Sequence, residues 1–285
     1  MHIGRCFFRI GAFIAISLLS SIAVCAADLK PEEIVARHLD SIAPAENRAA
    51  VKSRVVQGIL KFRVPVGGAG EVTGTWGRVS AERMSSFVMR FGVGSWRGEQ
   101  FTFDGSKTGF AAATATHERS GFAQFINSQD FMIKEGLLGG ELSTGWGLQD
   151  LQANHARVEN IGRKKIDGKE LVGLQYFSKG TRDMQVKMYF DPASYHHVLT
   201  IYSMDIAPNM SSDVTKSSSQ KETRYTLEER FGDFQTTEGM TLPTQYGLQW
   251  TEELQNGTTR VYDWEMTVKQ QRDNVSLDPA NFHVK

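Results

Sequence analysis

MQVKMYFDPASYHHVLTIYSMD, residues 184–205, is the stretch whose reading decides the fold. Met184, Val186, Met188 and Phe190 alternate with Gln185, Lys187 and Tyr189, the period of a strand with one buried and one wet face. Asp191-Pro192 ends that run, because proline has no amide hydrogen for a ladder and its fixed φ suits a turn. A second alternation follows Tyr195, with Leu199 and Ile201 on one face and Val198, Thr200 and Tyr202 on the other. Two such runs about one turn predict an antiparallel hairpin.

The same theme fills the chain on both sides. Upstream, Val56, Leu60, Phe62 and Val64 alternate with Gln57, Lys61 and Arg63, and strands over 72–79, 84–91, 100–104 and 108–116 follow through short polar turns, Asp104-Gly105 among them. Consecutive strands joined in this way predict an antiparallel meander, and mid-strand Gly58, Gly74 and Gly77 predict strong curvature. Around the opening hairpin, strands over 157–165 and 169–177 flank Asp167-Gly168, and strands over 222–234, 244–252 and 258–270 close the chain, the last pair through Asn256-Gly257. A polar, Ser-rich loop is expected over 208–220.

Helical periodicity appears in two places. Over 29–43, Pro31 suits a first turn, Glu32 and Glu33 complement the helix dipole, and Ile34, Val35, Leu39 and Ile42 form a stripe that leaves His38 on the flank. Over 121–140, Phe122, Phe125, Ile126, Gln129 and Ile133 recur at helical spacing up to Gly139-Gly140, and a second short helix is expected over 147–153. A lone helical insertion between two blocks of strands needs a surface to lie on. It is either a helix packed on the core or a movable lid over a cavity.

Residues 1–27 read as a secretory signal peptide, with Arg5 and Arg9 ahead of the apolar run 10–24 and small residues at 24–27 for cleavage. Two other readings are an uncleaved anchor and a lipoprotein with lipid attached at Cys25. Both cysteines, Cys6 and Cys25, lie in this leader, so cleavage after Ala27 leaves no disulfide and no thiolate chemistry. The remaining 28–285 fit one large β domain stabilised by its core. The chain carries 32 basic and 32 acidic residues, and loss of the leader leaves 30 against 32, which argues against a nucleic-acid partner or an anionic membrane surface.

No strong catalytic signature is present. His196 and His197 are adjacent on a strand and point to opposite faces, and no HxxEH or HExxH helix surrounds them, which argues against a metal pair. Gly92–Gly98 has glycines at the wrong spacing for a phosphate loop, no GxSxG elbow occurs, and His117, His155 and His283 stand beside no nucleophile motif. Asn209, Asn256 and Asn274 lie in NxS/T sequons. What the sequence does offer is aromatic and Met side chains on strands: Trp76, Phe87, Met89, Phe91, Phe101, Phe103, Met188 and Phe190. They either fill an ordinary core or line an inner face that one or two helices leave open to an apolar ligand.

The order of elements, with an export signal, an N-terminal helix, a long meander, a helical interruption, YFDP before a hairpin and the GxxxP turn Gly239–Pro243, resembles the periplasmic outer-membrane lipoprotein carriers (LolA/LolB-like) and related lipoprotein-sorting proteins. Phe234–Pro243 and Ala280-Asn281-Phe282 match in pattern. The resemblance implies a mainly β (α+β) fold, an open, incomplete antiparallel β-barrel with an N-terminal helix and a helical lid. It implies a monomeric periplasmic carrier, not an enzyme and without a cofactor, whose partners are lipid or acylated lipoprotein and inner- or outer-membrane donor and acceptor proteins. The cavity would be lined by the strand residues above with Phe122, Phe125 and Ile126 from the lid, and Arg83 would stand where the carriers have a lid-latching arginine, without the proline normally beside it. Two rivals are a cell-envelope interaction or sensing domain on the same fold, and an enzyme with a site assembled in space.

Overall fold

The structure, a computed structural model, describes residues 29–68, 70–92, 96–114, 119–179, 181, 183–207 and 222–284. The leader with both cysteines, His117, the whole loop 208–220 with Asn209, and 93–95 of the Gly92–Gly98 run lie outside the described residues. Helices α1 (Pro31–Ile42) and α2 (Ala45–Ala50) open the chain. Strands β1 (Ser53–Val66), β2 (Glu71–Ala81), β3 (Met84–Phe91), β4 (Trp96–Phe103) and β5 (Thr108–Thr114) follow. An insertion holds α3 (Gly121–Ser128), α4 (Phe131–Lys134) and a 3-10 turn at Gly140–Leu142. Then come β6 (Arg157–Ile166), β7 (Lys169–Phe177), β8 (Met184–Phe190), β9 (His197–Ile206), β10 (Thr223–Thr237), β11 (Met240–Glu253) and β12 (Thr259–Asp273).

All twelve strands form one open antiparallel sheet, in the order β5-β4-β3-β2-β1-β12-β11-β10-β9-β8-β7-β6. Two meanders are joined where the first strand pairs with the last, from Arg54 opposite Asp273 to Val66 opposite Val261. The edge strands β5 and β6 are therefore neighbours in sequence and opposite ends of the sheet in space. The insertion between them must cross the inner face, and it does: Phe122, Ile126, Met132, Leu137, Leu138, Leu142 and Trp146 are buried against the inward side chains of the strands. The open barrel with an N-terminal helix and a covering helical segment is the expected fold, and of the two readings of the insertion the described residues show the helix packed on the core.

Glycine placement explains the curvature. A Cβ on Gly58, at the bulge between β1 and β12, would lie 1.8 Å from the Thr267 carbonyl oxygen, and one on Gly74 would lie 2.2 Å from that of Arg90. Gly77 has no contact closer than 3.7 Å and is tolerated space, not a requirement. At the other end, Glu238 (φ 52°) and Gly239 (φ 78°) make a two-residue turn that carries β10 and β11 three residues or more beyond the runs read from sequence. Pro243 fits within β11 because it pairs with Phe234 of β10 at a level where the ladder to β12, which begins at Gln245, has not started.

Three further expectations are corrected. His38 is buried with Ile34, Val35 and Ile42 on the packed face of α1, not on its flank. The helix expected over 147–153 is a series of turns, in which the Asp150 carboxylate takes the Ala153 amide and ends at His155 with φ 50°. In the opening hairpin, a bulge after Tyr189 moves Val198 to the outer face with Leu199 and Ile201, so Thr200 and Tyr202 alone keep the inner one. Gly58→Ala is expected to lower stability by roughly 1–3 kcal/mol, as overpacking does, whereas Gly77→Ala stays within about 0.5 kcal/mol; urea denaturation compares them.

Candidate functional site

Helix α3 forms because Ser120 caps it, accepting from the Ala123 amide at 3.0 Å, and because Phe122, Ala123, Phe125 and Ile126 fall on one stripe. Gly121 begins it where a Cβ would be 3.0 Å from the Trp250 ring. The stripe lies on an aromatic layer. The Phe122 ring is 4.6 Å from Trp264, 5.8 Å from Trp250 and 5.9 Å from Phe101, and Phe125 is 5.9 Å from Trp250 and 5.8 Å from Tyr225. Phe101 stacks on Phe87, which in turn meets Trp76 at 6.2 Å and Tyr246 at 6.4 Å.

Of the residues singled out from sequence, Trp76, Phe87, Phe101, Phe122 and Phe125 therefore join into one layer, and Phe91 reaches it through Phe62 and Trp264. Met89, Phe103 and Ile126 are buried on the same face. Met188 and Phe190 are buried elsewhere: Phe190 packs 5.0 Å from His38 and 5.5 Å from His197. Missing from the sequence reading were Trp250, Trp264, Tyr246 and Tyr225, although Tyr246-x-Leu248-x-Trp250 and Trp264-x-Met266 carry the same period of two.

The second half of the insertion is held differently. Glu135 accepts from Tyr176 at 2.8 Å and Ser178 at 2.5 Å; the Gly139 amide donates to Glu229 at 2.6 Å; Arg54, paired twice with Asp273, donates to the Glu141 carbonyl at 2.9 Å. The Thr144 amide donates to Ser80, and the Trp146 indole to His38 Nε2 at 2.9 Å, which leaves His38 Nδ1 to donate to the Tyr195 carbonyl at 3.1 Å. Arg83, in the β2–β3 turn, donates to the Lys134 carbonyl at 3.3 Å and to Asn154 at 2.8 Å. By contrast, among the described residues the polar side chains of α3 bond locally, Gln124 to the Arg119 carbonyl and Ser128 to that of Phe125. Ties to the sheet flank the helix at Ser120 to Glu99, Gln129 to Met204 Sδ and Asp130 to Thr108.

Thr200, His197 and Glu141 form a hydroxyl–imidazole–carboxylate chain, at 2.7 and 3.1 Å. All three are buried, with Trp146 stacked at 5.1 Å and Phe231 at 4.6 Å over the imidazole, so the chain acts as a tie on the insertion. Burial alone would raise the Glu141 carboxyl, but hydrogen bonding and attraction from His197, with His38, hold it below its ordinary range. Burial drives His38 down from 6.5 to about 4, against the pull of Glu141. Burial raises Glu229, and bonds from Tyr202, Tyr246 and Gly139 partly offset it. Among the described residues no group of three His, Cys, Asp or Glu could hold a metal ion. No helix among them is long and apolar enough to cross a membrane.

With this geometry, solved structures of similar architecture can be placed beside the chain. One is a LolA superfamily protein from Nitrosomonas europaea, 11% identical, with a TM-score of 0.47 over 89% of this chain and 97% of that one. Another is a DUF1329 family protein from Desulfovibrio piger, 14% identical, TM-score 0.47, over 88% and 96%. A third is a domain named for outer membrane lipoprotein sorting from Vibrio parahaemolyticus, 12% identical, TM-score 0.44, over 87% and 97%. The likeness is one of fold. It assigns this chain no ligand. No family model and no curated protein matches the chain.

The buried His38 has a consequence for pH. Between about 6.5 and 4 the unfolded chain binds a proton at this imidazole that the folded protein refuses, so its contribution to stability is present above that window and lost as pH falls through it. Half-buried His196 is displaced in the same direction by burial. Urea midpoints are expected to drop between pH 6.5 and 4, and His38→Gln to flatten that part of the profile.

Proposed function

We propose that the protein is an exported carrier or receptor for acyl chains, of a lipid or an acylated lipoprotein, which enter between α3 and the aromatic layer of the sheet. In this reading residues 1–27 direct export to the periplasm, 28–285 form one domain, and exchange occurs with membrane donor and acceptor proteins. The observation that carries it is the contrast within the insertion: α3 is held over its aromatic bed by apolar contact, whereas 134–146 is held by directional bonds.

Apolar contact is non-directional, so an alkyl chain replaces it at little cost. Lifting Phe122, Phe125 and Ile126 into water costs about 1.5–3 kcal/mol each, and an acyl chain on the vacated rings recovers an amount of the same order. Buried hydrogen bonds are not replaceable by a hydrocarbon, since each orphaned partner costs about 1–3 kcal/mol. The segment 134–146 is thus the fixed wall and α3 the moving one. Arg83 would serve as a tie at the end of α4, keeping the hinge in place while α3 swings.

The test is mass spectrometry of lipid extracted from the protein purified from its own envelope without detergent. A stoichiometric acylated species is expected, with a several-fold lower content in Phe125→Asp, which places a carboxylate in the aromatic bed. A protein that purifies empty and takes up no acyl chain from lipid vesicles would overturn the reading.

A further inference from the structure

At the inner end of the aromatic layer stands a buried cation, Arg78, whose Nε and Nη1 find no hydrogen bond among the described residues. Arg78 on β2 points inward between Trp76 and Ser80, and its cross-strand neighbour on β3 is Phe87, the ring stacked against Phe101. The residue is 3% exposed, and its Nε and Nη1 are buried without a hydrogen bond. A Cβ on Gly139 would lie 2.2 Å from Nη1, so the guanidinium is pressed against the insertion at the position where only glycine fits. The nearby Glu229 carboxylate acts on it across space but gives its Nε and Nη1 no hydrogen bond. Its oxygens already accept from the Gly139 amide, from Tyr202 at 2.6 Å and from Tyr246 at 2.5 Å.

An unpaired buried charge is far more costly than an unpaired neutral donor, and native interiors contain few. Burial depresses Arg78, with Tyr246, Glu229 and Tyr202 acting against that shift across space. The surroundings say what would complete it. Trp76, Phe87 and Tyr246 form a cluster of rings beside it, and the ring contacts Phe122–Phe101–Phe87 run from under α3 to Phe87, the cross-strand neighbour of Arg78. A group that reaches Arg78 along that route must be anionic, compact and attached to a single slender apolar tail.

We propose that Arg78 receives the carboxylate of a free long-chain fatty acid, carboxyl end inward, with the alkyl chain lying along Phe87 and Phe101 beneath α3. This rests on the acyl-chain reading above and narrows it: the ester- and amide-linked chains of a lipoprotein offer no carboxylate, and a two-chain phospholipid offers no slender leading end. Tyr202 and Tyr246 donate their hydroxyl protons to Glu229, which leaves the Nε and Nη1 protons of Arg78 as the donors for the bound carboxylate, and Gly139 leaves the guanidinium approachable when the insertion shifts.

Binding of palmitate and of methyl palmitate to the purified protein, stripped of co-purifying lipid, is followed by tryptophan fluorescence. The acid is expected to bind about ten- to a hundred-fold more tightly than the ester, the ratio given by hydrogen bonds to a charged group. Arg78→Gln should abolish that preference while leaving the ester's affinity unchanged. Equal affinities in the unsubstituted protein overturn the role of Arg78 and leave the acyl-chain reading standing; no binding of either overturns both. If Arg78→Gln does not fold, NMR of palmitate labelled with carbon-13 at the carboxyl decides on the unsubstituted protein. A bound resonance that stays that of the ionised form while free palmitate protonates supports the proposal, and one that titrates with the free acid contradicts it.

Discussion

The pairing of β1 with β12 is the constraint from which the rest follows. It places the ends of the strand-bearing chain in the middle of the sheet and the middle of the chain, β5 and β6, at its two edges. A chain that leaves one edge and must reach the other has the inner face as its route, because a path outside would leave a dozen strands of inward aromatic surface to water. The insertion is a cover by topology before any of its side chains is considered. Its apolar residues then have a surface to fill, and the strands have a layer to complete.

Within that cover the chemistry divides. From Lys134 onward the chain runs over positions where strands present Tyr176, Ser178, Glu229, Arg54, Ser80 and His197, and it meets each with a backbone group or a short polar side chain. Before Lys134 it runs over Trp250, Trp264, Phe101 and Tyr225 and meets them with rings and an isoleucine. Directional bonds fix one arrangement, while ring contacts tolerate another occupant of the same shape. A cover that is bolted at one end and greased at the other is suited to admit a chain-like apolar guest.

Much of the sheet was legible because it is local. The Met184–Phe190 strand, the Asp167-Gly168 turn and the β1–β5 meander each announce themselves within a dozen residues, through period two and turn chemistry. The β1–β12 pairing joins residues about two hundred positions apart, from Arg54 with Asp273 to Val66 with Val261, and leaves no mark in either strand. For the same reason the choice between a filled and an open inner face was not decided by the sequence: whether Phe122 meets Trp264 depends on the path of the insertion. His38 was within reach, since it stands four residues after Ile34 and three after Val35, on the packed stripe of α1, but a polar residue in that place reads as flank unless its buried partner Trp146 is known. Arg78 and Glu229 were hidden likewise. On alternating strands they count as inward charges, and only the assembled sheet shows that Glu229 accepts three hydrogen bonds while Arg78 Nε and Nη1 have none among the described residues.

The central claim is that α3 opens independently of the rest of the insertion, and native-state hydrogen exchange measures that directly. Amides of 123–129 are expected to exchange through an opening of lower free energy than those of 137–147 and of β1 and β12, and to become protected when an acyl ligand is bound. Equal protection of both halves, rising and falling together with the sheet, would contradict the account, for the insertion would then be one indivisible part of the core.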